Sequence, residues 1–315
     1  MSNPGPVLAL TGGVGGAKLA LGLARILPPE NLLLVANTGD DFEHLGLTIC
    51  PDIDTVTYTL SGLANPELGW GRRDETWSFM ETLAGIGGET WFRLGDRDLA
   101  LHVERTRRLG AGEPLSAITA GIARRLGVLP RLLPMTDSRV RTKVQTDAGW
   151  IDFQDYFVRQ QCRPIVRALR FEGVEDAIPN PGLLAALANP DLRAVVICPS
   201  NPFISVEPIL ALPGVRAALA ACAAPVIAVS PIIGGRAVKG PTAKMFAELG
   251  TEPSARAVAE RYADIIDGYV LDHEDAAEAA AIDASVKLAR TLMVSLEDRE
   301  NLARTVLALA DTMRP

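Results

Sequence analysis

The sequence predicts an α/β fold of the doubly wound type, built on a mostly parallel sheet, and three observations carry that prediction. Short apolar runs recur along the chain, each ending in a polar or glycine-containing loop; stretches of helical periodicity lie between them; and the first run passes through a glycine-rich turn into a helix. With 315 residues, 48% of them hydrophobic, the chain has ample material for a large core. It carries no internal repeat and no low-complexity linker, so one unit spanning residues 1–315 is expected rather than two free domains.

The elements follow in order. Residues 7–11, 32–37, 194–199 and 225–230 are rich in Val, Ile, Leu or Ala, and apolar runs of this length read as strands buried on both faces. Helical segments at 17–26, 78–86, 115–126, 182–188, 208–222 and 254–267 supply the crossovers. Lys143-Val-Gln-Thr146, Asp147-Ala-Gly149 and Trp150-Ile-Asp-Phe-Gln154 read as two alternating strands around a turn, a β-hairpin marking a smaller inserted segment at roughly 130–175. From 274 to 313 the chain is alanine-rich and helical in character, with Glu297-Asp298-Arg299-Glu300 as the polar start of the last helix.

Composition excludes several classes. A net charge of −7 argues against a general nucleic-acid binder, so any anion must be met by a local pocket. Met1-Ser-Asn-Pro-Gly-Pro6 lacks a basic segment followed by an apolar one, and the apolar stretch 217–233 is broken by Pro225 and Pro231. A soluble, cytoplasmic protein with no membrane partner is expected. Cys50, Cys162, Cys198 and Cys222 show no C-x-x-C spacing, and the histidines are His44, His102 and His273, so four core thiols are expected rather than a zinc site or disulfides.

The glycine turn, Gly12-Gly-Val-Gly-Gly-Ala-Lys18, brings bare N–H groups and a lysine to a helix start, which suits a phosphate; it would also serve as a tight turn that binds nothing. It is not a P-loop, because Ala17 separates the last glycine from Lys18 and Leu19 stands where a Ser or Thr would hold magnesium. It is not the dinucleotide fingerprint either, since Lys18 occupies the third glycine position, and no nicotinamide or flavin cofactor is expected.

Other strand ends carry acids and rigid loops. Asn37-Thr-Gly-Asp-Asp41 and Pro51-Asp-Ile-Asp-Thr55 gather carboxylates near the glycine turn, suited to a hard divalent cation or a general base, or simply to a solvated acidic surface. Leu94-Gly-Asp-Arg-Asp98 sets an arginine between two aspartates, either a ligand-binding fork or a surface salt-bridge knot. His102 reads as a structural residue at a helix start. Cys198-Pro-Ser-Asn-Pro202 and Ser230-Pro-Ile-Ile-Gly-Gly235 present small polar groups at two further strand ends, followed by Lys239 and Lys244; such proline-rigidified loops suit a preorganised pocket and also ordinary tight turns.

Together with Leu133-Pro-Met-Thr-Asp137 and Phe153-Gln-Asp155, these motifs occur in an order that resembles the 2-phospho-L-lactate transferase family, from residue 7 to about residue 306. The resemblance implies a Rossmann-like core with an inserted subdomain, often a homodimer, acting in the biosynthesis of the deazaflavin coenzyme F-420. It implies two substrates, 7,8-didemethyl-8-hydroxy-5-deazariboflavin and a guanosine diphosphate ester of 2-phospholactate or its enolpyruvyl counterpart. The ribityl hydroxyl attacks the phosphorus beside the three-carbon group, GMP leaves, and a phosphodiester forms with the help of Mg2+. Whether the donor carries phospholactate, phosphoenolpyruvate or phosphoglycerate stays open.

Carried over by motif, Asp54 and Arg97 are expected on the deazaflavin. Gly12, Gly13, Gly15, Gly16, Lys18, Asn37, Thr38, Ser200, Asn201, Ser230 and Gly234 are expected on the nucleotide and diphosphate. Asp54 is the candidate base, so that Asp54→Asn is expected to keep the fold and abolish transfer; Asp40 with Asp54 is the candidate metal pair among Asp40, Asp41, Asp52 and Asp54. Ala100-Leu101-His102 departs from the Ala-Thr-His of the family pattern, which puts a polar contact from position 101 in doubt. A competing class, a regulatory nucleotide-sugar-binding factor, shares the glycine turn and sheet but not the Pro51–Thr55 and Leu94–Asp98 motifs.

Overall fold

Seven strands form one sheet in a computed structural model that describes residues 5–67 and 69–313. They are β1 (Val7–Thr11), β2 (Leu32–Ala36), β3 (Arg131–Pro134), β4 (Ala194–Ile197), β5 (Val226–Val229), β6 (Gly268–Asp272) and β7 (Ser285–Ala289), in the order β7-β6-β5-β4-β1-β2-β3, with every neighbouring pair parallel. The expected doubly wound architecture is therefore present. Alternate residues serve opposite faces: Leu8, Leu10, Leu33, Val35, Val195 and Ile197 enter one core, and Val7, Ala9, Leu32, Leu34, Val196 and Cys198 the other. Helices cover both faces, which is why the inner strands are apolar at nearly every position.

Three strands were not foreseen. β6 and β7 lie where the sequence reads as helical or featureless: Ser285-Val-Lys-Leu-Ala289 alternates as an edge strand does, and the alanine-rich stretch before it, His273–Ala281, forms only 3₁₀ turns. β3 opens the segment read as an insertion but belongs to the central sheet; the antiparallel unit follows it, with Arg141–Thr146 between Gly149–Asp152 and Ala168–Glu172. The segment 208–222 splits into Glu207–Leu210 and Val215–Ala220 because Gly214, at φ 77°, turns the chain left-handed.

A larger excursion joins β2 to β3. It contains α2 (Pro51–Leu60) and the helices Ser78–Gly85, Asp96–Gly110 and Leu115–Arg125, and it has its own small core of Ile49, Met80 and Leu94. This is the part of the chain that rises above the sheet's carboxyl edge beside the cleft. Strand order reverses between β1 and β4, and at such a switch point the loops leave in opposite directions and open a crevice. α1 (Gly13–Ile26) starts at that crevice and runs back along the C-terminal helix Leu296–Asp311, whose first turn is closed by a Ser295–Asp298 capping box.

The two helices meet at Gly22, where a Cβ would overlap the Arg299 carbonyl. Backbone cannot yield as a side chain does, so Gly22→Ala is expected to lower stability by about 1–3 kcal/mol. Gly85→Ala, which faces open space at an ordinary φ, is expected to be neutral or slightly stabilising. Denaturant melts of both variants check the contrast.

Candidate active site

The glycine turn is the first turn of α1 rather than a loop before it. Gly13 begins the helix at φ 61°, a left-handed value that favours glycine, and Gly12 lies extended ahead of it. A Cβ at Gly15 would overlap the Pro199 carbonyl, and one at Gly16 would overlap Ser200 Oγ and the Thr11 hydroxyl. The glycines thus let the helix start press against the loop after β4. Gly12 N–H donates to Ser200 Oγ at 3.2 Å, and Gly13 N–H donates to Asp52 Oδ1 at 2.6 Å, so a carboxylate of the protein already sits at the positive end of this helix.

Asp52 is placed there by Pro51, which opens α2, and by Asn37, whose amide donates to Asp52 Oδ2 at 2.9 Å and to the Ile204 carbonyl at 3.1 Å. Asp40 and Asp41 are buried close by, and each keeps one Oδ1 with no hydrogen-bond partner among the described residues. Burial raises the Asp52 carboxyl to about 6 against the Asn37 and Gly13 hydrogen bonds. Burial, and then the Asp52 charge, push Asp40 well above the ordinary carboxylate value. Burial carries Asp41 to about 7, with Arg141 opposing.

A second buried cluster joins α2 to the helix Asp96–Gly110. Arg105 holds Asp54 with both arms of its fork, Nη1 at 3.1 Å from Oδ2 and Nη2 on Oδ1. Burial works against the Arg105 charge, but Asp54 together with Cys50 and Asp41 outweighs it, and the guanidinium is held above its ordinary pKa. The same Nη1 lies 3.3 Å from His102 Nδ1. A guanidinium only donates, so Nδ1 is the acceptor and the ring proton sits on Nε2, which faces Asp98 Oδ2 at 3.3 Å. Asp98 Oδ1 accepts from Tyr58 OH at 2.5 Å. Burial disfavours the Asp98 charge, but the His102 and Tyr58 hydrogen bonds and the Arg105 charge prevail and hold its carboxyl below the usual range.

Leu94-Gly-Asp-Arg-Asp98 divides its charges three ways. Asp96 accepts from Ser78 and Phe79 N–H and fixes the start of the helix Ser78–Gly85. Glu75 takes the Arg97 and Asp98 N–H groups, acting as the cap that Gly95 lacks, and a Cβ at Gly95 would overlap it. Asp98 turns inward. The Arg97 side chain is exposed and is not among the residues lining the cleft.

All of this borders one cleft of about 720 Å³. One end is polar, formed by Gly12, Gly13, Gly15, Lys18, Asp40, Asp52, Ser200, Asn201 and Ser230. Lys18 donates to the Met293 carbonyl at 2.8 Å, and burial followed by the charges of Arg299 and Lys239 lowers its pKa. The other end is aromatic, with Trp70, Trp91, Phe92, Phe153 and Phe157. Trp91 meets His44 edge-on at 5.0 Å and carries the Arg159 guanidinium at 4.7 Å from its ring centre, while Phe153 stacks on Phe157 at 5.3 Å. Asp54, Tyr58, Asp98 and His102 also line the cleft.

Several sequence-predicted residues prove to be supports. Asn37 and Thr38 are buried and do not line the cleft; Asn37 orients Asp52. Gly16 is a packing glycine, and the Gly234 N–H is taken by Asp275 at 2.9 Å. Asp54 lines the cleft with both oxygens on Arg105, and it lies with Asp98 and His102 in a group whose ligand atoms fall within 4.8 Å of one another. Sequence reading weighed Asp52 but preferred Asp54, took Asp98 only as a flank of Arg97, passed over Tyr58, Arg105 and the aromatic end, and set His102 aside. Asp54 with Tyr58, and Asp98 with His102, stand at i,i+4 on their helices, a signal that was available.

Fold and cleft define an α/β protein with an anion-suited helix start at its topological switch point, facing an aromatic chamber. The chain belongs to the 2-phospho-L-lactate transferase CofD family, whose sequence profile matches residues 7–310. It is 43% identical to the phosphoenolpyruvate transferase of Streptomyces avermitilis, covering 98% of this chain and 99% of that one. It is 44% identical to that of Kitasatospora aureofaciens, with 98% of each chain covered, and 37% identical to that of Mycolicibacterium smegmatis, with 96% and 98% covered. Its fold is similar to that of a UPF0052 family member from Bacillus halodurans, with a TM-score of 0.66 at 15% identity over 96% of this chain and 98% of that one. No helix among the described residues is long and apolar enough to cross a membrane.

Two outcomes follow from the buried acids. Asp54→Asn leaves Arg105 charged and unpaired in the interior, so the expected loss is about 3–5 kcal/mol of stability, a cost to the fold that the sequence did not show; a denaturant melt measures it. Asp52 binds its proton more tightly folded than unfolded. Wild type should therefore lose stability relative to Asp52→Asn as pH rises from the ordinary carboxylate value near ~4 to about 6, with no change below that window, as read from melts across pH.

Proposed function

We propose that this protein is a transferase of coenzyme F-420 biosynthesis that moves an enolpyruvyl-phosphate group from its guanosine diphosphate ester to the ribityl hydroxyl of 7,8-didemethyl-8-hydroxy-5-deazariboflavin. The observation that carries the reading is likeness along nearly the whole chain to phosphoenolpyruvate transferases, 43% identity with that of Streptomyces avermitilis over 98% of this chain. It favours the enolpyruvyl donor over the phospholactyl and phosphoglyceryl ones. In the reaction a new O–P bond forms at the phosphorus beside the enolpyruvyl group, the hydroxyl loses its proton, and the bond to GMP breaks.

The two ends of the cleft suit the two substrates. A planar tricyclic deazaflavin gains most from the rings of Trp91, Phe92 and Phe157, and a diphosphate from Lys18 and the α1 start. Asp40 and Asp52 fit a hard divalent cation: both are buried, their charges oppose each other, and Asp40 Oδ1 has no partner among the described residues. Asp52, whose oxygens meet only the neutral Gly13 and Asn37 donors, takes the place expected for Asp54, which is already paired with a cation, Arg105. Mg2+ held there would neutralise charge on the diphosphate.

Transfer assays with deazaflavin, Mg2+ and each of the three guanylated donors, resolved by product mass, test the reading. The enolpyruvyl phosphodiester is expected, with the other donors slower by about tenfold or more, and chelation of the metal should stop turnover until Mg2+ is restored. Binding of a nucleotide sugar without any transfer to the deazaflavin would overturn it.

A further inference from the structure

The attacking hydroxyl must give up a proton, and five carboxylate or imidazole side chains line the cleft: Asp40, Asp52, Asp54, Asp98 and His102. Geometry separates them. Asp40 and Asp52 sit at the polar end, where the donor's phosphates belong. Asp54 is cancelled by Arg105, which grips both of its oxygens. His102 has both ring nitrogens engaged, Nδ1 by Arg105 at 3.3 Å and Nε2 by Asp98 at 3.3 Å.

We propose that Asp98 accepts the proton of the attacking hydroxyl, and that Tyr58, His102, Arg105 and Asp54 form a buried chain that positions it. The assignment rests on the transferase reading above. Within that chain Asp54 is paired with Arg105, while the two oxygens of Asp98 face Tyr58 OH and His102 Nε2 and no guanidinium grips them. Asp98 is also the most accessible carboxylate of the cluster, its side chain 17% exposed against 8% for Asp54. Each Asp98 oxygen accepts one protein hydrogen bond, Oδ1 from Tyr58 and Oδ2 from His102, and keeps a second lone pair for the substrate. As the hydroxyl O–H bond breaks, its proton passes to an Asp98 oxygen; its electron pair forms the bond to phosphorus, and the pair of the cleaved P–O bond leaves on GMP.

The surroundings suit an anion that works as a base without wandering. Asp98 lies in the first turn of the helix Asp96–Gly110, whose dipole favours negative charge, and its N–H is anchored by Glu75 at 2.9 Å. The charged and titratable groups around it are Tyr58 and Asp54 from α2, His102 and Arg105 from its own helix, and Glu75 from the preceding loop. Arg105 fixes the His102 tautomer and Asp54 fixes Arg105. A defect at Asp54 would therefore reach the chemistry through Arg105 and His102.

Steady-state transfer assays on Asp98→Asn, Asp98→Ala and Tyr58→Phe test the proposal, with deazaflavin binding followed by its fluorescence. Asp98→Asn should lower kcat at least about a hundredfold while deazaflavin affinity stays within about twofold, and formate should restore part of the Asp98→Ala activity. Tyr58→Phe should lower kcat about tenfold with KM unchanged and move the acidic limb of the kcat–pH profile upward, because the carboxylate loses a hydrogen bond that favours its charged form. Asp98→Asn turnover within about threefold of wild type would overturn the assignment. Should the Asp98 variants fail to fold, an acidic limb that stays in place in Tyr58→Phe would overturn it equally. Wild-type protein that makes no phosphodiester from any donor would instead sink the transferase reading itself.

Discussion

The close approach of the α1 start to the loop after β4 is the constraint on which the rest depends. Without a Cβ at Gly15 and Gly16, the helix can press on Pro199 and Ser200 and close the floor of the switch-point crevice. That contact aims the α1 amides at one spot, and Asp52 is drawn there to cap Gly13. Asn37 is then spent on holding Asp52, and the start of α2 is tied to the sheet. A phosphate-suited turn and an acidic helix start thus become neighbours through backbone packing rather than through a binding motif of the usual kind.

The interior pays for this with buried charge. Asp40, Asp41, Asp52 and Asp54 crowd the region where β2 gives way to α2, and Arg105 is the fully buried cation among them. It pairs with Asp54, so the remaining acids are left to hold protons or to meet a ligand, and burial accordingly drives Asp41 and Asp52 upward to about 7 and about 6. Buried acids without a cationic partner shift in this direction as a matter of electrostatics, and such shifted carboxyls cluster at functional sites.

The excursion between β2 and β3 supplies what the sheet cannot. A doubly wound core offers loops and helix starts, which suit phosphates, but few broad apolar surfaces at its carboxyl edge. Trp91 and Phe92 come from the segment between two helices of this excursion, and Phe153 and Phe157 approach from the antiparallel unit. The helix Asp96–Gly110 presents Asp98, His102 and Arg105 on one side because they recur at three- and four-residue steps. The cleft is therefore assembled from parts that are far apart in the chain.

Sequence by itself determined the fold class, the strands β1, β2, β4 and β5, and the family, because buried parallel strands are written as continuous apolar runs and glycine motifs are local. It also marked eight residues of the polar end that do line the cleft: Gly12, Gly13, Gly15, Lys18, Asp40, Ser200, Asn201 and Ser230. Edge strand β7 escaped it, since an edge needs only a weak alternation and here sits in alanine-rich surroundings. Which acids are free was decided by tertiary structure alone. Asp52, Asp54 and Asp98 look alike in one dimension, and only the fold puts a helix amide against the first, a guanidinium against the second, and two neutral donors and an opening against the third.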